Sequence, residues 1–344
     1  MDALIISHAT ARLYHNAPRR PPSARLLPES TNPLVTTPPN IAHVSRARRV
    51  LASHGIPTEL LTSIDFLITN PSQKRHAMGA RCHLWLESIP ARSLIELEPG
   101  IYVAGVELCA FQMAAELPER MLIELYYELC SKYCMPFFDE DDYRDLSSPR
   151  TTKRKLKRFF SELPPGVDGR RKALRALPCV REGSRSPLET AMVMTLACPK
   201  RLGGMGLRDI RMNHHLPLPP RIRQLTRRSS LICDAYIDRG AQDVEYQGFL
   251  HDEPEQKAID NERRQAMQAI GLTVIELNKQ QFFDTDAYRR VLAAIRLNAG
   301  IPVPKDAEAY AAEQERLRRF VLRRWLHDAD EGEGGAGEQD GERI

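Results

Sequence analysis

Two runs in the last third of the chain, Cys233-Asp234-Ala235-Tyr236 and Asp243-Val244-Glu245-Tyr246-Gln247-Gly248, carry acids that neighbouring strands can bring together. Side chains alternate across a strand, so Leu231, Cys233, Ala235 and Ile237 share an apolar face, and Asp234 opposes it with Ile232 and Tyr236. The turn Asp238-Arg239-Gly240-Ala241 permits a hairpin to the second run, where Glu245 and Gln247 oppose Val244 and Tyr246. Two carboxylates on one side of a hairpin suit Mg²⁺ or Mn²⁺, hard ions that take oxygen ligands and leave room for water and phosphate. Such an ion polarises a phosphodiester and lowers the pKa of the attacking water. The expected roles are Asp234 as bridging metal ligand, Glu245 as second ligand, the Tyr246 carbonyl as a third, and Gln247 as hydrogen-bond partner of the nucleophilic water. Gln247 brings neither positive charge nor a transferable proton.

The elements that must hold these acids are legible around them. Ser186-Pro187-Leu188-Glu189 opens a helix, with Ser186 and Glu189 as a capping box and Pro187 at the first helical position. Glu189 is therefore either a cap alone or also an outer ligand or base leaning over the sheet. After the hairpin, Ile259, Arg263, Ala266, Met267 and Ile270 recur at helical spacing over residues 254–270, and Gly271 stops the helix. Residues 272–277 return as a strand, so the hairpin–helix–strand order implies a crossover onto a mixed sheet. Asp260 and Arg263 lie on adjacent turns and either pair on the helix surface or assist the site, while His214-His215 reads as loop.

With 344 residues and 42% hydrophobic content the chain can bury two ordinary cores. Its net charge of +4 averages a basic middle and an acidic end. Seven scattered cysteines, most in apolar runs, read as buried thiols in a reducing compartment; Cys130 and Cys134 share a helix face by spacing but lack a ligand set. The apolar triplet Leu4-Ile5-Ile6 turns polar at once, which excludes a signal or membrane segment there, so a cytoplasmic protein with no membrane partner is expected.

In the first half, Ser7 caps a short helix, a proline-rich connection covers residues 18–39, and short strand patterns begin at Ile41, Ile64, Cys82, Leu94 and Ile101. Their alternation predicts a half-buried, mostly antiparallel sheet, followed by helices over residues 106–116 and 118–133. His43, His76 and His83 have no ligand-like spacing and read as ordinary polar positions. The basic segment that follows includes Lys153, Arg154, Lys155, Arg170, Arg171 and Lys172, and a second cluster with Arg227 and Arg228 precedes the first acidic strand. These are either solvated helix faces or phosphate-contacting surfaces that gain affinity for DNA by counterion release. The expected organisation is an α+β domain over residues 1–140, basic helices or linker over 141–180, a site-bearing domain over 181–300, a helix over 301–327, and a disordered acidic tail over 328–344.

The stretch from Ser186 to about Leu297 resembles the endonuclease-like domains related to very-short-patch-repair enzymes, within the PD-(D/E)XK superfamily. The resemblance rests on Ser186-Pro187-Leu188-Glu189, Cys233-Asp234, Val244-Glu245-Tyr246-Gln247-Gly248 with His251, and Asp260-x-x-Arg263-Arg264 before Ala269-Ile270-Gly271-Leu272-Thr273-Val274. It implies an α/β chain in which the N-terminal α+β domain is followed by a restriction-endonuclease-like mixed sheet flanked by helices. It also implies Glu189, Asp234 and Glu245 as site acids, with His251, Asp260 and Arg263 as accessory residues. Two departures stand out: Gln247 replaces the usual basic residue, and only His251 is available where the repair enzymes carry paired histidines. Ser7-His8-Ala9-Thr10-Ala11 and Pro99-Gly100-Ile101-Tyr102-Val103 before Glu107-Leu108-Cys109 are more loosely similar to abortive-infection-type antitoxins. That likeness implies a toxin–antitoxin or phage-defence setting with a toxin or defence partner.

The resulting expectation is a Mg²⁺- or Mn²⁺-dependent DNA endonuclease or nickase, a hydrolase of defence or repair. A nuclease-fold protein without catalysis, acting as a nucleic-acid-binding or antitoxin-like regulator, is the alternative. A partner-binding protein whose basic helices merely face solvent is the third reading.

Overall fold

A computed structural model describes residues 3–18, 26–27, 38–74, 77–135, 137, 143–226, 228–247 and 254–332, apart from the side chains of 254–260 and 327–332. Arg227, Gly248, His251, His76, the Asp260 side chain, the tail from 333 and most of the proline-rich connection lie outside the described residues. The fold is mixed α/β, and two compact units divide the chain. Unit 1 comprises Met1–Cys130, Cys134–Asp139 and Leu146–Pro178; unit 2 comprises Ser131–Tyr133, Glu140–Asp145 and Cys179–Ile344.

Unit 1 is built on strands β1 (Leu4–Ile6), β2 (Ile64–Ile68), β3 (Ala80–Leu84), β4 (Leu94–Glu98) and β5 (Ile101–Ala104), in the order β3-β2-β1-β5-β4. The apolar N-terminal triplet is the central strand, buried along its length, which no alternation could announce. β1 pairs antiparallel with β2 and parallel with β5, β2 pairs parallel with β3, and β4 pairs antiparallel with β5. The sheet is thus evenly mixed, which corrects the mostly antiparallel expectation.

Helix α1 (His8–Asn16) follows β1 directly. The strand expected from Ile41 is instead helix α2 (Ile41–Ser53). Asn40 accepts from the His43 backbone N–H at 3.0 Å while the His43 ring accepts from Asn40 N–H at 3.3 Å, and Val44, Ala47 and Leu51 bury at helical spacing. Helices α3 (Val106–Glu116) and α4 (Glu119–Leu129) are separated at Pro118, which cannot continue a helix. Cys130 ends α4 and Cys134 lies in a strand, so they share no helix face, and none of the seven cysteines is in a disulfide.

The basic segment forms α5 (Lys153–Glu162) and α6 (Arg170–Ala176), both within unit 1. α5 buries Leu156 and Phe160, and the Phe160 ring lies 5.8 Å from Phe111 of α3 and 5.6 Å from Tyr126 of α4. Its opposite face carries Arg154, Lys155, Lys157 and Arg158, all exposed. Two short strands, β6 (Tyr133–Cys134) and β7 (Arg144–Asp145), pair with each other.

Unit 2 begins with α7 (Pro187–Ala197), then the strands β8 (Ile210–Pro217), β9 (Ser230–Ile237) and β10 (Gln242–Gln247). α8 (Pro254–Ala269) leads to β11 (Thr273–Asn278), followed by α9 (Lys279–Phe283), α10 (Thr285–Asn298) and α11 (Ala307–Gly332). The sheet order is β11-β10-β9-β8, with β8, β9 and β10 antiparallel and β11 parallel to β10, as the hairpin–helix–strand order requires. His214 and His215 belong to β8, which corrects the loop expectation, and α11 continues past residue 327 to Gly332.

Along β9 burial alternates strictly, with Leu231, Cys233, Ala235 and Ile237 buried. Ala266 and Met267 of α8 join Leu231, Cys233 and Leu272 in one apolar cluster. The β9–β10 turn needs glycine at Gly240: its φ is +82°, and a Cβ there would lie 2.3 Å from the Asn298 carbonyl oxygen. Among the described residues no helix is long and apolar enough to cross a membrane.

Candidate active site

The β9–β10 ladder runs from Gln242↔Ile237 to Val244↔Ala235 and then stops, whereas β10 stays paired with β11 to Gln247. Acidic side chains replace the missing ladder bonds. Asp243 Oδ1 accepts from Ala235 N–H at 3.2 Å, and Asp234 Oδ2 accepts from Tyr246 N–H at 3.2 Å. Each carboxylate thus satisfies a backbone donor freed where the strands part.

Asp234 carries the clearest electrostatic signature. Burial, then the charges of Glu189 and Glu245, push its carboxyl up to about 6. The sensitivity to both glutamates means that the three acids form one electrostatic site across α7, β9 and β10. Glu189 is anchored twice: its Oε2 accepts from Arg185 N–H at 3.0 Å and from Asn213 Nδ2 at 2.9 Å, while its own N–H donates to Ser186 Oγ at 3.1 Å. It is therefore both a cap partner and a member of the acidic group.

Glu245 is gripped by Arg263 from α8. Arg263 Nη1 donates to Glu245 Oε2 at 2.7 Å, Nη2 donates to Oε1, and Nη2 also donates to the Ile232 carbonyl at 2.7 Å. A two-pronged guanidinium–carboxylate pair fixes both geometry and charge. Arg263 thus contacts the acidic group, while its other expected partner, Asp260, has a side chain outside the described residues. Gln247 is half-buried at the end of β10, in backbone register with Asn278.

Two further members, Asp243 and Asn213, were not expected from the sequence. Asp243 is fully buried, and burial together with Glu245 drives its carboxyl up to about 8. Among the described residues its Oδ2 has no hydrogen-bond donor, and a proton on the acid turns this oxygen into a donor toward Glu245. Period two from Glu245 already points to Asp243, so the signal was present in the sequence. Asn213 had no such signal, because β8 carries a mixed polar run. It lies between the Met212↔Ala235 and His214↔Cys233 pairs, opposite Asp234, with a φ of 45°.

Glu189, Asp234 and Glu245 do not form a ready three-carboxylate cage: among the described residues the group whose ligand atoms all lie within 4.8 Å of one another is His8, His83 and Glu116 in unit 1. Glu245 is committed to Arg263. What fits Mg²⁺ or Mn²⁺ is a smaller donor set, Asp234 with Glu189 across from it, because Mg²⁺ is commonly held by one or two carboxylates and completes its shell with water and phosphate. The raised Asp234 carboxyl is the observation behind that fit, since a divalent cation offsets the burial and the like charges that disfavour its ionised form.

The basic residues divide by partner. Arg170 donates to the Phe160 and Ser161 carbonyls at 3.0 and 3.1 Å, and Lys172 donates to the Leu117 carbonyl at 3.0 Å, so both close helix ends. Arg154, Lys155 and Arg171 are exposed in unit 1 and Arg228 is exposed in unit 2, while Lys153 is half-buried. Comparison of the chain with family models, curated proteins and solved structures gives no match.

Proposed function

We propose that unit 2 is a divalent-metal-dependent DNA endonuclease or nickase of the PD-(D/E)XK kind, in a defence or repair setting. The observation that carries this reading is the acidic group of Asp234, Glu189 and Glu245 on β9, α7 and β10. A guanidinium from α8 supplies, beside the acids, the positive charge that Gln247 lacks. The arrangement of α7, the β8–β9–β10 meander, α8 and β11 supports it, because Glu189, Asp234 and Glu245 meet at one end of the β9–β10 pair.

In this reading Asp234 is the principal metal ligand and Glu189 its companion. The bound ion would polarise the phosphodiester and acidify the attacking water. Gln247 orients that water by hydrogen bonding, Arg263 holds Glu245 in place and offsets phosphate charge, and Asn213 keeps Glu189 directed at Asp234. Within unit 2, exposed Arg228 contacts DNA through its phosphates.

A second reading, a nuclease-fold protein that binds nucleic acid or regulates a toxin without cutting, is favoured by one feature: Arg263 occupies both oxygens of Glu245. Plasmid and linear DNA incubated with the full chain in Mg²⁺ or Mn²⁺, against EDTA, decides between them. The nuclease reading expects metal-dependent nicks or breaks, abolished by Asp234→Asn and reduced at least tenfold by Arg263→Lys. Asp234→Asn is nearly isosteric and removes a repelled charge, so its fold is retained. Binding that weakens steeply with salt but is never accompanied by cleavage establishes the second reading instead.

A further inference from the structure

In unit 1, β1 ends at Ile6 and the chain turns into α1 through Ser7 and His8, both buried. His8 is held at a φ of 47°, a left-handed conformation that strains residues other than glycine. Two contacts fix it there: its N–H donates to Gln112 Oε1 at 3.1 Å, and its carbonyl accepts from Cys109 Sγ at 3.4 Å. The effect is to stack the His8 ring on that of His83 from β3, with centroids 3.7 Å apart and planes 18° from parallel.

The nitrogens of these rings are disposed in pairs. His83 Nδ1 lies 3.1 Å from Glu116 Oε1 and His83 Nε2 lies 2.9 Å from Asp65 Oδ1. His8 Nε2 lies 3.9 Å from the same Glu116 oxygen, and His8 Nδ1 is 3.0 Å from Ser7 Oγ. Each ring therefore directs one nitrogen at Glu116 and gives the other to an oxygen partner. Asp65 is itself immobilised by Thr10 N–H at 3.0 Å, Thr10 Oγ1 at 2.8 Å and Arg81 Nε at 2.8 Å.

We propose that His8 Nε2, His83 Nδ1 and Glu116 form a binding site for a divalent transition-metal ion, zinc foremost, with Asp65 and Ser7 orienting the two rings. Two imidazoles and one carboxylate are a zinc donor set, and three protein ligands leave a fourth position for water or an exogenous ligand. Tetrahedral coordination at about 2.0–2.1 Å puts neighbouring donors about 3.3 Å apart. The three ligand atoms already lie within 4.8 Å of one another, so small side-chain rotations close the set. A ligand histidine characteristically gives its remaining nitrogen to a carboxylate or another oxygen, which is what Asp65 and Ser7 provide. Glu116 is 39% exposed at its side chain and His83 21%, so an ion has a route in from solvent.

Gln112 adds an independent indication. Its side chain is buried, and among the described residues Nε2 has no acceptor. It lies one helical turn before Glu116, where an oxygen ligand brought in with an ion can satisfy that donor. Sequence spacing missed the site because its ligands come from β1–α1, β3 and the last residue of α3. His83, which reads as an ordinary polar position, is at its centre.

The test uses the full chain carrying Asp234→Asn, so that the acidic group of unit 2 does not contribute, after chelator treatment and dialysis. Titration with Zn²⁺ by calorimetry is expected to give one equivalent, and Co²⁺ to give the visible absorption of a four-coordinate nitrogen–oxygen site. Glu116→Gln and His83→Gln should each weaken binding at least tenfold, and Asp65→Asn about 10–100-fold. Glu116 is exposed enough for Glu116→Gln to fold, which near-UV circular dichroism verifies, so that variant alone can overturn the proposal. Absence of saturable binding, affinity unchanged in Glu116→Gln, or a thiolate-to-cobalt charge-transfer band would each overturn it.

Discussion

Asp65 in unit 1 and Asp243 in unit 2 are both buried carboxyls on strands, and their titration is displaced in opposite directions. Burial raises both, but hydrogen bonds from His83 and Thr10 and the charge of Arg81 hold Asp65 below the usual carboxylate range. Asp243 has the Ala235 N–H and the Cys233 thiol as hydrogen-bond partners but, among the described residues, no cation bonded to it, and it faces Glu245, so burial prevails and the protonated form is favoured. Depth in the fold therefore does not decide whether a carboxyl is charged; the number and sign of its partners do. Unit 1 surrounds its acid with donors and cations, while unit 2 gathers acids and balances them with one arginine and retained protons.

That contrast is broken most directly at Arg263. Arg263→Ala leaves Glu245 without its counter-charge next to Asp243 and Asp234, and the expected cost is about 3–5 kcal/mol in urea unfolding. Arg263→Lys keeps a charge and loses the two-pronged geometry, so it should cost distinctly less. Equal stability of Arg263→Ala and the wild type would mean that unit 2 does not depend on this arginine for charge balance.

The same contrast shapes the response to pH. Because Asp234 and Asp243 are raised to about 6 and about 8, the folded state holds more protons than the unfolded chain between the ordinary carboxylate range and those values. Their contribution is fully present below that range and is lost as pH climbs towards 8, at about 1.4 kcal/mol for each tenfold difference in proton affinity between the folded and unfolded chain. Asp65, lowered instead, contributes above the ordinary range and loses its contribution as pH falls through its own folded value. Asp243→Asn should flatten the decline in Tm between about pH 5 and pH 9, where carboxyls with such raised values titrate. An undiminished slope would place the proton elsewhere.

The smallest expected effect is at Glu189. Glu189→Gln keeps the acceptor for Asn213 and removes the like charge that weighs most on Asp234, so stability should change by only about 1 kcal/mol. The Asp234 titration, followed by NMR, should nevertheless move down from about 6 towards the ordinary carboxylate range. A fixed value would separate Glu189 from the acidic site and leave it as a cap alone.

Period-two and helical spacing were sufficient for β9, β10, α3 and α8, the capping serine and first-turn proline announced α7, and the hairpin face assigned to Asp234 and Glu245 came from β9's alternation. Other elements resisted for identifiable reasons. β1 is buried on every residue and has no alternation, and α2 begins with a β-branched residue whose exposed side chain, at Ile41, belongs to no stripe. Parallel partners such as β1 and β5 lie far apart in sequence, and no local pattern encodes their register. At the acidic site the residue types were legible, but the hand-off of Arg263 to Glu245 and of Asn213 to Glu189 depends on α8 and β8 reaching the same end of β9.

What the sequence determined by itself is the supply of chemistry: carboxylates at strand periodicity, a glutamine in place of a basic residue, basic helices, and a capping serine before Glu189. Side-chain alternation and helix capping are local, so a few residues suffice to read them. Charge balance and ligand convergence are long-range. Only packing could decide that Arg263 serves Glu245, that Asp243 keeps its proton, and that His8, His83 and Glu116 from three separate elements meet within 4.8 Å. These outcomes depend on distance through the folded interior, which separation along the chain does not measure.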